Sequence, residues 1–166
     1  MTHIIYKLPT NEFDRYRTHL LMLDEESRYM RFGFHAKNDT INDLCSKWEL
    51  KPKDHKIFAI ENDNMEIVAV AHISIEDDCP ELAFSVFKEY QGQGMGDALM
   101  KRAVEYCQNR GIKHGCMVCL GTNNKIKNLA RKNQVLVITE DGDSVGEIEI
   151  PDELLSALPP EVAEQM

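Results

Sequence analysis

Residues Glu81 to Gly96 read ELAFSVFKEYQGQGMG, and the parsing of this stretch decides the fold. From Glu81 to Phe87 the residues alternate: Leu82, Phe84 and Val86 share one face of an extended chain, and Glu81, Ala83, Ser85 and Phe87 share the other. Three alternate glycines follow, Gly92, Gly94 and Gly96. From Asp97 to Arg110, Leu99, Met100, Ala103, Val104 and Cys107 recur at helical spacing, with Gly111 as the stop. A strand therefore runs through a glycine loop into a helix. Glycine lets the backbone approach a ligand closely at positive φ. A helix N-terminus leaves amide donors unused and carries partial positive charge. Together they form a phosphate cradle that needs no lysine or arginine.

The spacing separates this cradle from two other phosphate binders. A P-loop requires G-x-x-x-x-G-K-[ST], which is absent. A dinucleotide fingerprint requires G-x-G-x-x-G after the first strand of a βαβ unit. Here the pattern is G-x-G-x-G, and an antiparallel meander precedes it. That meander comprises Lys56 to Glu61, Glu66 to Glu76 and Glu81 to Phe87, joined by the turn clusters Glu61-Asn62-Asp63-Asn64 and Asp77 to Pro80. Ile67, Ala69, Ala71, Ile73 and Ile75 predict one buried face for its middle strand. Further upstream the pattern predicts a strand over His3 to Leu8 and a helix capped by Thr10 or Asn11. A second helix runs from the acidic turn at Asp24 to about Gly33, and a third over Asp39 to Trp48. Downstream it predicts a strand over His114 to Leu120, a helix from about Asn124 to Asn133, and a hairpin of Val135 to Thr139 with Val145 to Ile150. One domain over residues 1–150 and a short acidic tail over 151–166 account for the chain.

The 166 residues are 43% hydrophobic and 28% charged, which suits one domain with a real core and excludes a collagen-like or disordered chain. Nineteen Lys and Arg stand against 28 Asp and Glu, a net charge of −9. General nucleic-acid binding through a basic surface is thereby excluded. A cationic substrate is compatible with this balance. An anionic ligand needs local donors. No apolar run approaches the roughly 18 residues of a membrane span. The opening MTHIIYKLPT lacks a basic segment followed by an apolar one, so a cytoplasmic protein is expected. The five cysteines, Cys45, Cys79, Cys107, Cys116 and Cys119, are then expected to be reduced thiols. Cys116 and Cys119 form a C-x-x-C inside an apolar run and read as buried small hydrophobes, with no metal site.

The string Gln91-Gly92-Gln93-Gly94-Met95-Gly96 resembles the Q-x-x-G-x-G motif of the GNAT N-acetyltransferase superfamily. Val86 stands five residues before Gln91, as the superfamily's strand valine does. Asn123, Ile126, Leu129, Ala130 and Lys132 match a downstream pattern, N-x-x-M-x-x-L-A-x-K-x-G, and Glu26 to Phe32 is similar to an early helix of some members. The resemblance implies an α/β domain of GNAT type: a central mixed, largely antiparallel sheet flanked by helices. It implies acetyl-CoA as acyl donor. The amides of Gly92, Gln93, Gly94, Met95, Gly96 and Asp97 would meet its pyrophosphate, with Gln91 in the motif. The backbone of Phe84, Ser85 and Val86 would pair with the pantetheine arm, and Asn123 would contact the same arm. Two positions depart from the pattern. Ala130 stands where many members have a tyrosine that protonates the leaving thiolate, and Gln134 replaces a helix-ending glycine.

The implied reaction is acyl transfer from acyl-CoA to a primary amine, on a small molecule or a protein. A non-catalytic acyl-CoA-binding sensor is the alternative, suggested by Ala130. A homodimer is compatible with either. Transfer to an amine needs a group that takes up the ammonium proton. Glu81 resembles the glutamate that begins this strand in many members and sometimes acts as base; its other reading is a solvated strand-end carboxylate. His72 reads as a structural histidine. Lys125, Lys127, Arg131 and Lys132 form a basic face on the later helix, either solvated or turned to the 3′-phosphate of CoA.

Overall fold

The middle strand of the meander, Ile67–Ser74 (β3), is buried at seven of its eight positions. The one-sided burial expected from Ile67, Ala69, Ala71, Ile73 and Ile75 is therefore replaced by burial on both faces, because helices cover the sheet on each side. Ala69, Ala71 and Ile73 pack into one apolar cluster with Leu99, Met100, Ala103 and Val104, while Val70 packs into another with Tyr16, Leu20, Ile41 and Cys45. Ile67 joins this second cluster, next to a ladder irregularity at Ile60/Glu61. Burying each of the larger aliphatic side chains, such as Ile73, Leu99, Val70 and Leu20, stabilises the fold by about 1.5–3 kcal/mol.

The computed structural model describes residues 2–76, 79–117, 124–138, 140–141 and 144–152. Strand β1 (Tyr6–Lys7) leads through a 3₁₀ turn, Thr10–Glu12, into α1 (Phe13–Met22). The expected cap at Thr10 or Asn11 is taken up in that turn. Helix α2 (Glu25–Phe32) starts at Asp24, whose carboxylate accepts from the Ser27 amide at 3.3 Å. Helix α3 (Asn38–Glu49) follows. The meander is β2 (His55–Glu61), β3 and β4 (Glu81–Val86). The glycine loop opens α4 (Met95–Asn109), followed by β5 (His114–Met117) and α5 (Asn124–Lys132). Then come β6 (Leu136–Val137), β7 (Glu140–Asp141), β8 (Ser144–Val145) and β9 (Glu147–Glu149). The seven-stranded order is β1-β2-β3-β4-β5-β9-β6, with β7 and β8 paired separately. Only β4 and β5 run parallel among these neighbours, so the sheet is mixed and largely antiparallel, as expected. The closing hairpin places β9 between β5 and β6.

Gln134, which stands in the place of the helix-ending glycine, adopts the left-handed conformation all the same, at φ 63°. The turn after α5 is thus kept at a backbone strain that glycine would not carry. Asn123, Cys119 and the tail from residue 153 lie outside the described residues. No helix of the described residues is long and apolar enough to cross a membrane.

The cysteine expectation is corrected. Cys79 and Cys116 form a disulfide, with sulfurs 2.08 Å apart and Cα atoms 6.1 Å apart. The cause is topological: parallel pairing sets Cys116 opposite Glu81, two residues beyond Cys79. Nothing in the spacing of 37 residues shows this. Cys45 and Cys107 are free and buried, and burial pushes both thiols up to about 11. A cross-link closing a loop of this length contributes about 2–4 kcal/mol. Reduction is expected to lower the melting temperature by roughly 5–10 °C. Thermal melts with and without a thiol reductant, paired with thiol titration, check this; identical melts of the fully reduced and oxidised chain would contradict it.

Candidate functional site

The glycine loop is braced from several sides. The Gln91 side-chain amide donates to the Val86 carbonyl at 3.1 Å, which explains the five-residue spacing of that pair. The Gln93 amide group donates to the Glu89 carbonyl at 3.3 Å, and His3 Nε2 donates to the Gln93 carbonyl at 2.7 Å. Tyr90 sits under the loop, partly buried, its hydroxyl 3.1 Å from Asn62 Nδ2. Gly92 and Gly94 lie at φ 77° and 84°, where only glycine is unstrained, and Gly94 is the residue from which α4 starts. A Cβ on Gly92 would meet nothing within 4 Å, so the space beside this residue is open. The first-turn amides of Met95, Gly96 and Asp97 have no carbonyl one helical turn earlier to accept them.

Gly96 serves a different purpose from the other two. A Cβ there would sit 2.9 Å from Leu129 Cδ1, so its missing side chain lets α5 close on α4. The Asp97 carboxylate is turned toward α5 as well. It accepts from Asn133 Nδ2 at 2.9 Å and pairs with Lys101 and, at 3.5 Å, with Lys132. Burial opposes its ionisation, but these donors prevail and hold its pKa below the usual carboxylate value. Of the basic face on α5, Lys132 is engaged in this way, and Lys125 donates to Gln91 Oε1 at 3.2 Å.

Along β4 the ladder to β3 is complete from Glu81 to Val86, whereas the described ladder to β5 covers only Glu81 and Leu82. Among the described residues, Ala83, Phe84, Ser85 and Val86 have no strand partner on that side. Three of these are the residues the sequence pointed to for pantetheine pairing. The Ser85 side chain faces the other way: it is buried and lies 2.8 Å from His19 Nε2. His19 Nδ1 donates to the Ile67 carbonyl at 2.9 Å, so Nε2 is the acceptor and the serine hydroxyl donates. Burial pushes the His19 pKa down to about 4.

A cleft of about 230 Å³ opens near the start of β4. Its floor is a cross-strand patch, His72 opposite Ala83 and Ser74 opposite Glu81. Its walls come from the N-terminal helices: Arg31, Phe32 and Phe34 at the end of α2, Leu44 and Trp48 from α3. Beneath runs a chain of polar side chains with a single direction. Arg31 Nη2, which can only donate, reaches the Tyr16 hydroxyl at 3.2 Å. Tyr16 then donates to His72 Nδ1 at 3.0 Å, and His72 Nε2 donates to His55 Nδ1 at 2.9 Å. The hydrogen-bonded chain ends there: His55 Nε2 lies at ion-pair distance, 3.3 Å, from Glu76 Oε2 without a hydrogen bond to it, and Glu76 is also paired with Lys51. Burial, with Arg31 and His55 adding to it, holds the His72 pKa well below the usual histidine value. His72 is therefore neutral with both ring nitrogens engaged, which suits the structural reading and leaves Glu81 as the carboxylate on this floor.

Sequence reasoning placed Glu81 and the loop but did not find Arg31, Tyr16 or Trp48 as members of the same neighbourhood. Arg31 carried one usable signal: it precedes Phe32 on a short amphipathic helix, and both are buried.

A family model described as the acetyltransferase (GNAT) family matches residues 19–134. The chain belongs to that family. No curated protein matches it by sequence. Among solved structures, the GNAT domain of S. lividans PAT superposes with a TM-score of 0.67 at 19% identity, over 87% of this chain and 89% of that one. The Paia N-acetyltransferase of Thermoplasma acidophilum, solved with coenzyme A, gives 0.65 at 15% identity over 91% and 100%. The spermidine N-acetyltransferase of Vibrio cholerae, solved with CoA and spermine, gives 0.63 at 17% over 89% and 94%. At these identities the likeness is one of fold.

Proposed function

We propose that the chain is an acetyl-CoA-dependent N-acetyltransferase acting on a primary amine. The observation that carries this reading is the braced glycine loop, with left-handed Gly92 and Gly94 opening α4 a few residues after β4. Acetyl-CoA supplies an activated acetyl thioester. The amides from Gly92 to Asp97 hold its pyrophosphate, and the backbone of Phe84 to Val86 aligns its pantetheine arm. Asn123 contacts that arm in this reading. The solution of the Thermoplasma and Vibrio neighbours with CoA supports the assignment. Glu81 lies three residues before Phe84, about 10 Å along an extended strand. It takes up the ammonium proton of an acceptor seated in the cleft, directly or through one water. Ala130 is wholly buried in the core and presents no hydroxyl, so the leaving thiolate takes its proton from solvent or from another donor.

The test is a thermal melt with each of three nucleotides. Acetyl-CoA at a hundred times its dissociation constant adds about 2.7 kcal/mol through linkage, and the melting temperature is expected to rise by roughly 5–10 °C. NADH and ATP at the same concentration are expected to do much less. Equal shifts from all three would overturn the donor assignment. Binding of acetyl-CoA without release of CoA in any amine mixture would favour the sensor module over the enzyme.

The loop has its own test. Valine at Gly94 would have to hold φ 84° with a β-branched side chain, and its Cβ would lie 3.7 Å from His3 Nε2. The left-handed conformation costs about 1–2 kcal/mol there. Gly94→Val is expected to weaken acetyl-CoA binding at least tenfold, on the order of the same free energy, in a chain that keeps its circular dichroism. Calorimetric titration reads this directly, and unchanged affinity in a folded variant would remove the loop from the site.

A further inference from the structure

Arg31 presents a physical problem that the fold alone does not resolve. Its side chain belongs to a residue only 5% exposed, yet among the described residues no carboxylate lies within ion-pair distance of it. Among the described residues its one hydrogen bond goes from Nη2 to a neutral phenol, Tyr16, and its Nε has no partner. The guanidinium carbon lies 4.6 Å from the centre of the Phe32 ring, which offsets part of the lost hydration and none of the lost hydrogen bonding. A buried, uncompensated cation is costly, and arginine cannot shed its proton to escape that cost. The side chain lines the same cleft as Glu81. In a protein of net charge −9 it is a local exception in sign.

We propose that the amine acceptor carries an anionic group, a carboxylate, which pairs with Arg31 while its amine faces Glu81: the substrate is an amino acid or a close amino-acid analogue. This rests on the reading of the cleft as the acceptor end of an acyltransferase. The hydrogen-bonded chain Arg31–Tyr16–His72–His55 supports it, because among the described residues it engages the guanidinium through Nη2 alone. Arginine binds planar carboxylates in two-point contacts better than a lysine would. The remaining walls, Phe34, Leu44 and Trp48, are apolar or aromatic, so the body of the acceptor between its charged ends is apolar or aromatic too. A polyamine, cationic at every nitrogen, would meet Arg31 unfavourably.

The experiment compares phenylalanine and leucine with their amides and with phenethylamine and isoamylamine, measuring CoA release at saturating acetyl-CoA. The amides have the less basic amine and so more free base near neutral pH, which biases the comparison against the proposal. The acids are expected to exceed the amides in kcat/KM by roughly 10–100-fold, the span of a charge-assisted hydrogen bond. That ratio should collapse toward one in Arg31→Met and recover in part in Arg31→Lys. An aminophosphonate analogue of phenylalanine separates a carboxylate site from one for a phosphorus oxyanion; preference for the phosphonate would overturn the carboxylate assignment. Turnover of amines with no preference for the acids would overturn the proposal and leave the acetyltransferase reading intact. If no amine is turned over, thermal melts of the CoA-saturated wild-type chain with N-acetylphenylalanine and its amide decide. Stabilisation by the acid alone would support the anion site and sink the enzyme. Stabilisation by neither would overturn both.

Discussion

Glu81→Gln is expected to lower turnover by roughly 10²–10⁴-fold, the span for loss of a general base. Glutamine keeps the size and hydrogen bonding of the side chain and removes its capacity to take a proton. The strand should not change, because Glu81 ends a complete ladder to Ser74 and its partner across β5 is Cys116, both held through backbone bonds. Affinity for acetyl-CoA should stay nearly constant, since the glycine loop and the backbone of Phe84 to Val86 lie further along the chain. The residual rate should rise with pH as the acceptor amine deprotonates without help. Steady-state kinetics across pH, with a calorimetric check of acetyl-CoA binding, measure all three quantities. Wild-type turnover and an unchanged pH profile in the variant would return Glu81 to a strand-end carboxylate. His72 would be a poor replacement as base, because both of its nitrogens are occupied within the buried chain.

Acidification from pH 7 to pH 4 is expected to destabilise the fold by several kcal/mol, through histidines that are buried in the neutral form. In the unfolded chain each takes up a proton near pH 6.5. In the folded chain His19 does so only at about 4, because burial removes the charged form from water and outweighs the carbonyl of Ile67 that favours it. Between these two values the unfolded state binds more protons, so stability is full above about pH 6.5 and falls as pH falls toward 4. For His19 the loss is about 3 kcal/mol. His72 acts in the same direction, lowered by burial, Arg31 and His55; His55 is lowered by burial and partly restored by Glu76. The melting temperature should drop by at least roughly 10 °C over this range. His19→Gln should show a smaller drop than the parent chain over that interval, whatever its stability at pH 7. A melting temperature that is level from pH 7 to pH 4.5 would show that these side chains reach water in the folded state.

The loop was legible because its chemistry is local. Alternation ending at Val86, glycines at 92 and 94, and helical spacing from Leu99 onward are all set by backbone sterics within a few residues. The same holds for the meander, whose turns are short and rich in turn-forming residues. The two-sided burial of β3 was not legible. Apolar residues at every position of 67–71 fit a buried strand, but which helices cover which face depends on long-range connections.

Local periodicity and the glycine spacing were enough to place the meander, the glycine loop, the helix after it and the strand that carries Glu81, since each depends on neighbours in the chain, and the resemblance of Gln91 to Gly96 to the family motif supplied the fold class. The Cys79–Cys116 bridge and the cleft between Arg31 and Glu81 were decided only by tertiary structure. The bridge exists because parallel β4 and β5 bring residues 37 apart into register. The cleft exists because α2 and α3 pack over the β3–β4 floor, leaving a cation in a dry place that no local pattern marks. Burial of charge is a property of the whole packing arrangement, and a sequence read residue by residue contains no measure of it.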